Sequence, residues 1–169
     1  MISEIRHQPI IGVMGGAMVD KETLETAYQL GKMIADKGWI LLNGGRDAGV
    51  MRASAQGAKE RGGITVGILP QADRHQANPF IDIALATNMA DARNLINVLS
   101  SDVVVACKGS AGTLSEIALA LKNNKPVVTL GFEAAQVLRE FTKPGLFRIA
   151  STPEQAILYV EKYLHDVLY

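Results

Sequence analysis

The sequence predicts an open α/β fold, Rossmann-like and doubly wound, with a mostly parallel sheet and helices on both faces. Three observations carry that prediction. Short runs that are apolar on every residue alternate with segments of 3.6-residue apolar period. Strands apolar on both faces need cover on both sides, which a parallel sheet with crossover helices supplies. Glycine-rich turns stand at the ends of three of those runs, where such sheets open their ligand crevice.

The elements follow in order. Ile10 to Met14 is an apolar strand ending in Gly15-Gly16, and Leu24, Ala27, Tyr28, Leu30, Gly31, Ile34 and Ala35 then mark a helix that Gly38 stops. Trp39 to Leu42 is the second strand, broken by Asn43-Gly44-Gly45. Gly49 to Arg61 is an Ala-rich helix capped by Gly62-Gly63, and Ile64 to Leu69 is a β-branched strand closed by Pro70. Gln71 to Pro79 is polar and irregular, Ile81 to Ala86 is a strand, and Ala90 to Leu99 is a helix. Asp102 to Ala106 is a strand feeding Lys108-Gly109-Ser110-Ala111-Gly112 and a helix from about Thr113 to Lys122. Pro126 to Leu130 is a buried strand, Phe132 to Phe141 a helical segment, and Phe147 to Ala150 a last short strand. Thr152 to Leu168 is a closing helix with Thr152 as N-cap and Pro153 at its first position.

Length and composition bound the function. With 169 residues, 48% of them hydrophobic and 20% charged, residues 1–169 are expected to form one domain with a sizeable core. Lys plus Arg equals Asp plus Glu at 17 each, so no global field draws in nucleic acid or an acidic membrane, and any anion needs a local site. The single Cys107 cannot close an internal disulfide, and His7, His75 and His165 lack zinc-ligand spacing, so no metal site is expected. Met1 to Gln8 lacks the apolar stretch of a secretory signal, and no run is long enough to span a bilayer. A cytoplasmic protein is expected.

Two loops carry the chemistry. In Gly44-Gly45-Arg46-Asp47-Ala48-Gly49-Val50-Met51, glycines allow close backbone approach, and N–H groups at the helix start suit an anion beside Arg46. The bland alternative is a tight turn that needs glycine for packing alone. Lys108-Gly109-Ser110-Ala111-Gly112-Thr113 follows the same logic with two hydroxyls added. Its lysine precedes the glycines, so it is not a Walker A loop. Thr113 and Glu116 have the spacing of a capping box, which competes with a catalytic role for Glu116. Gly15 and Gly16 lack the third glycine of a dinucleotide fingerprint. Arg93, taken alone, reads as an exposed arginine paired with Asp91 or Asp102, and Cys107 as a small buried hydrophobe.

Gly44 to Met51, then Gly62 to Pro70, then Gly109-Ser110-Ala111-Gly112-Thr113-Leu114-Ser115-Glu116 resemble the ordered signature of the lonely-guy (LOG) family, also described as lysine-decarboxylase-like. No lysine here is singled out for a pyridoxal Schiff base. The resemblance implies a phosphoribohydrolase acting on cytokinin nucleoside 5′-monophosphates, with its arginine on Arg93 and its glutamate on Glu116. The chain departs from that pattern at Arg46, where the enzymes carry glycine, at Lys108-Gly109-Ser110, where they carry Pro-Gly-Gly, and at Arg93-Asn94, where they carry Arg-Lys.

These departures are similar to the branch of molybdenum cofactor carrier proteins. That likeness implies a carrier that binds a phosphorylated pterin, negatively charged at both ends, without turning it over. Gly44, Gly45, Arg46, Gly49 and Met51 would then meet one end of the ligand, and Gly109, Ser110, Ala111, Gly112 and Thr113 the other, with Gly15, Gly16, Val50, Arg93 and Glu116 also expected in the site. The resemblance further implies a homodimer or homotetramer, with molybdoenzymes or cofactor-synthesis proteins as partners and neither nucleic acid nor membrane. A nucleotide sensor is a third reading, since folds of this class host many functions.

Overall fold

The structure, a computed structural model, describes residues 8–168; His7 and the leading segment up to it lie outside the described residues. Seven strands form one sheet: β1 (Ile10–Met14), β2 (Ile40–Asn43), β3 (Thr65–Leu69), β4 (Ile83–Ala86), β5 (Val103–Cys107), β6 (Val127–Leu130) and β7 (Phe147–Ala150). Their spatial order is β4-β3-β2-β1-β5-β6-β7, and every neighbouring pair is parallel. Ile11 lies beside Leu41 on one side and Val103 on the other. From β1 the chain winds outward through β2 to β4, then returns to β5 and winds outward the other way. The order therefore reverses between β1 and β5, which is where a Rossmann-like sheet leaves a crevice above its strand ends.

Two cores confirm why the strands are apolar throughout. Val103, Val105 and Cys107 of β5 point into one core, with Leu30 and Ile34 of α1 (Lys21–Asp36), Val50 and Ala58 of α2 (Gly49–Glu60), and Val160 of α5 (Pro153–Leu168). Val104 and Ala106 point into the other, with Val98 of α3 (Arg93–Leu99) and Ile117 and Ala120 of α4 (Ala111–Lys122). All five β5 side chains are buried, so a polar residue on either face would have to shed its water without compensation. Helices α1 and α2 touch backbone to backbone through Gly31 and Gly57. A Cβ on Gly31 would stand 2.0 Å from the Ser54 carbonyl oxygen, and one on Gly57 2.0 Å from that of Tyr28.

The outline departs from the sequence expectation in three places. The helix expected over Ala90 to Leu99 splits into a 3-10 turn, Ala90–Ala92, and the seven-residue α3. The preceding backbone is tied elsewhere: the amides of Thr87, Asn88 and Ala90 donate to the carbonyls of Leu69, Gln71 and Pro70, with Asn88 and Ala90 in the left-handed region. Glu133–Phe141 is a 3-10 stretch rather than an α-helix. Helix α4 starts at Ala111, two residues before Thr113, so Ser110 is the N-cap and Thr113 lies within the first turn. Thr152 does cap α5, its Oγ1 accepting from the Gln155 amide at 3.2 Å. Among the described residues no helix is long and apolar enough to cross a membrane.

Candidate functional site

The turns after β1, β2 and β5 meet above the switch point and are stitched to one another. The Gly16 amide donates to the Lys108 carbonyl at 3.1 Å, and the Gly16 carbonyl accepts from the Val50 amide at 3.0 Å. Between them lies a crevice of about 510 Å³. Gly15, Gly16, Gly44, Arg46, Met51, Arg93, Ser110, Ala111, Gly112, Thr113 and Glu116 line it. Four other expected residues stand outside its lining. Gly45 passes close against Gly67, Gly49 abuts the Gly16 carbonyl, Val50 fills the space beneath Gly15, and Gly109 covers the Thr113 hydroxyl.

One wall is the start of α4. Its first main-chain bond inward is Leu114 N–H to the Ser110 carbonyl at 3.0 Å, so the amides of Ala111, Gly112 and Thr113 precede the helical ladder. They have no acceptor among the described residues, which is the ordinary condition of an uncapped helix start. Ser110 makes no side-chain cap bond and is exposed together with Ala111 and Gly112. These amides, the Ser110 hydroxyl and the positive end of the helix dipole favour negative charge by about 0.3 to 1 kcal/mol per interaction.

The opposite wall holds the arginines. Arg93 is 8% exposed rather than a surface residue, and of its two expected partners Asp91 shares the crevice with it and acts on its charge. Its guanidinium packs against the backbone of Gly44, where a Cβ would stand 2.3 Å from Nη1. Asp102 instead accepts from the Ile10 amide at 2.8 Å. Burial pushes the Arg93 guanidinium down from its ordinary range, Glu116 and Asp91 oppose that, and Arg46 adds to it. Nε of Arg93 is buried with no hydrogen-bond partner among the described residues. Arg46 is exposed at the mouth of the crevice.

Glu116 stands between the walls, 7% exposed. Its Oε1 accepts from Asn97 Nδ2 at 3.0 Å, so it does not turn back to close a capping box. Burial raises its pKa above the usual carboxylate range, while the Asn97 hydrogen bond and the Arg93 charge pull the other way. Lys108 turns away from the crevice and pairs with Asp20 at 2.7 Å, so that departure from the enzyme pattern adds no charge to this site. Cys107 is fully buried, and desolvation pushes its thiol up to about 12, which leaves no thiolate for chemistry.

Sequence reasoning missed Asp91, Asn94 and Ser115, which line the crevice, and Asn97, which orients Glu116. A signal for Asn97 existed: it lies four residues after Arg93, on the same face of a helix.

Comparison with known proteins places this arrangement in a family. The molybdenum cofactor binding protein of Rippkaea orientalis superposes with a TM-score of 0.89 at 48% identity, covering 94% of this chain and 99% of that one. The molybdenum cofactor carrier protein of Chlamydomonas reinhardtii superposes at 0.88 with 44% identity, over 94% and 99%. A cytokinin riboside 5′-monophosphate phosphoribohydrolase of Mycobacterium tuberculosis is 36% identical over 98 residues, 57% of this chain, which spans 52% of that enzyme's length. The model of the SLOG cluster4 family matches residues 8–157, and the chain belongs to that family.

Proposed function

We propose that the crevice binds the molybdenum cofactor, so that this chain carries or stores it without turning it over. The observation that supports this most is the pairing of two anion-friendly walls across one cavity. The free amides of Ala111, Gly112 and Thr113 with the Ser110 hydroxyl face Arg93 and Arg46. A ligand with a phosphate at one end and an oxidised, sulfur-held molybdenum at the other has negative charge to offer both. The unpartnered Nε of Arg93 suits such a guest, since a buried guanidinium donor without an acceptor is costly. When bound, the cofactor supplies the redox chemistry of its eventual enzyme; the residues here only hold it and limit solvent access. The similarity to two solved cofactor-binding proteins supports the same reading.

A second reading rests on the Arg93 and Glu116 pair and on the phosphoribohydrolase relative. In it Arg93 positions the 5′-phosphate of a nucleotide, and Glu116 as a carboxylate supports cleavage of the N-glycosidic bond. The raised pKa of Glu116 favours its neutral form and works against that role. We also propose assembly into a homodimer or homotetramer, with molybdoenzymes or cofactor-synthesis proteins as recipients. Exposed Ile83 and Leu85 on β4 and Leu95 and Leu99 on α3 offer apolar surface for self-association.

The experiment is to incubate the purified protein with molybdenum cofactor and separately with adenosine monophosphate, desalt, and measure retained molybdenum and released adenine. Retained cofactor without base release is expected, and Arg46→Gly should lower cofactor retention more than nucleotide binding. Adenine release that vanishes in Glu116→Ala would overturn the carrier reading.

A further inference from the structure

A second cavity of about 520 Å³, as large as the crevice, lies at the β7 edge of the sheet. It is walled by the end of the Glu133–Phe141 stretch, the loop into β7, β7 itself and the first half of α5. Strand β7 is an edge strand, two places from β5 and three from β1, so this cavity is separate from the proposed cofactor site. Three cations line it: Arg139, Lys143 and Arg148. No acidic side chain lines it, and none of the three forms an ion pair with a carboxylate among the described residues.

In a chain of formal net charge zero this is a local excess. A concave surface lined by one sign of charge concentrates the field there. The central cation is also fixed in place. The Arg148 guanidinium lies over the rings of Tyr159 and Tyr163, 5.1 and 5.4 Å from their centroids, and the Tyr163 hydroxyl is itself anchored to the Gly145 carbonyl at 2.7 Å. Nε of Arg148 and Oγ1 of Thr142 are buried with no hydrogen-bond partner among the described residues. Native packing pairs such groups, and walls that leave two of them unpaired are shaped by more than their own packing.

We propose that this cavity is a binding site for a small phosphorylated molecule, its phosphate held by Arg139, Lys143 and Arg148 and its apolar part against Phe147 and Tyr159. Three cations suit a dianionic or more highly charged group, and the rings suit a planar or aliphatic remainder. The site stands whether or not the crevice carries the molybdenum cofactor.

The test is a titration of the full chain with inorganic pyrophosphate and with adenosine monophosphate, followed by backbone amide resonances. Saturable shifts at Gly145 to Ile149 are expected, distinct from those at Ala111 and Gly112 on the crevice. The double variant Arg139→Gln/Lys143→Gln changes two exposed side chains and should keep the native melting temperature. It should weaken the first set of shifts at least tenfold and leave the second unchanged. Shifts that stay linear to high concentration, no response at Gly145 to Ile149, or equal affinity in the variant would each overturn the proposal. So would binding of an acidic peptide there without binding of either phosphate compound.

Discussion

The turns Gly44–Met51 and Lys108–Thr113 both border the crevice with similar glycine-rich sequences, yet their main chains are tied to the rest of the protein to different degrees. The first is tied into the protein through amides and carbonyls alike. Asn43 accepts from the Gly45 amide at 2.8 Å and donates to the Met51 carbonyl at 2.9 Å, Asn78 donates to the carbonyls of Gly45 and Arg46, and Gly16 takes the Val50 amide. The second leaves three helix-start amides and a serine hydroxyl facing the cavity. The lesson is that two glycine-rich strand-to-helix turns of similar sequence can take different parts in one site. Here the β5 side presents donors, while the β2 side acts as a rigid frame that holds Arg93 and presents Arg46.

The sharpest way to break this contrast is to add one methyl group to each turn. Gly49 has φ +49°, and a Cβ there would stand 2.1 Å from the Gly16 carbonyl oxygen, a main-chain atom that cannot step aside. Gly49→Ala should cost about 3 kcal/mol of stability, from backbone strain plus overpacking, read as a shifted denaturant midpoint. Gly112 has open space where a Cβ would go and lies in the first turn of α4. Gly112→Ala should be neutral or stabilising by up to about 1 kcal/mol. Because Gly112 lines the crevice, the same variant should lower cofactor retention. If Gly49→Ala is harmless, the first turn is not the frame described here.

Most of this architecture was legible in the sequence because burial on both faces leaves a mark: β5 is five apolar residues in a row, and no amphipathic alternative accounts for it. The crevice was legible through glycines at strand ends. What was not legible depended on contacts distant in the chain. Arg93 looked exposed because the residues before it are polar, and its burial comes from packing against Gly44, forty-nine positions earlier. The capping box at Thr113 and Glu116 fit the local pattern, but the helix began earlier and Asn97 claimed the carboxylate. Lys108 stands next to the anion site in the sequence, but Asp20, just before α1 and eighty-eight positions earlier, holds its side chain elsewhere.

Glu116 gives a smaller, pH-dependent handle on the boundary between the two walls. Its folded pKa lies above the ordinary value of 4.5, mainly through desolvation. A carboxyl raised in this way contributes stability that is fully present below the unfolded pKa and is lost as pH rises through the folded one. The wild type should therefore lose stability, relative to Glu116→Gln, as pH rises above about 4.5. The glutamine variant keeps an acceptor for Asn97 and never ionises. Denaturant midpoints for the two proteins should agree most closely at acidic pH and diverge toward neutral pH, with the variant ahead. A constant difference across that range would mean that Asn97 and Arg93 together cancel the burial effect, leaving Glu116 ionised and available for the hydrolytic role.

The smallest expected effect belongs to Lys108, and its smallness is informative. Nζ of Lys108 meets Asp20 at 2.7 Å on an exposed surface, where ion pairs are screened and contribute little. Asp20 keeps its other function in the variant, since its Oδ1 caps α1 by accepting from the Thr23 amide at 2.8 Å. Lys108→Ala should leave the melting temperature and cofactor retention unchanged, whereas Arg46→Gly, on the opposite wall, should lower retention. A clear loss of cofactor in Lys108→Ala would mean that the lysine swings from Asp20 into the crevice when a ligand arrives, which would give the β5 side a mobile cation as well as its fixed amides.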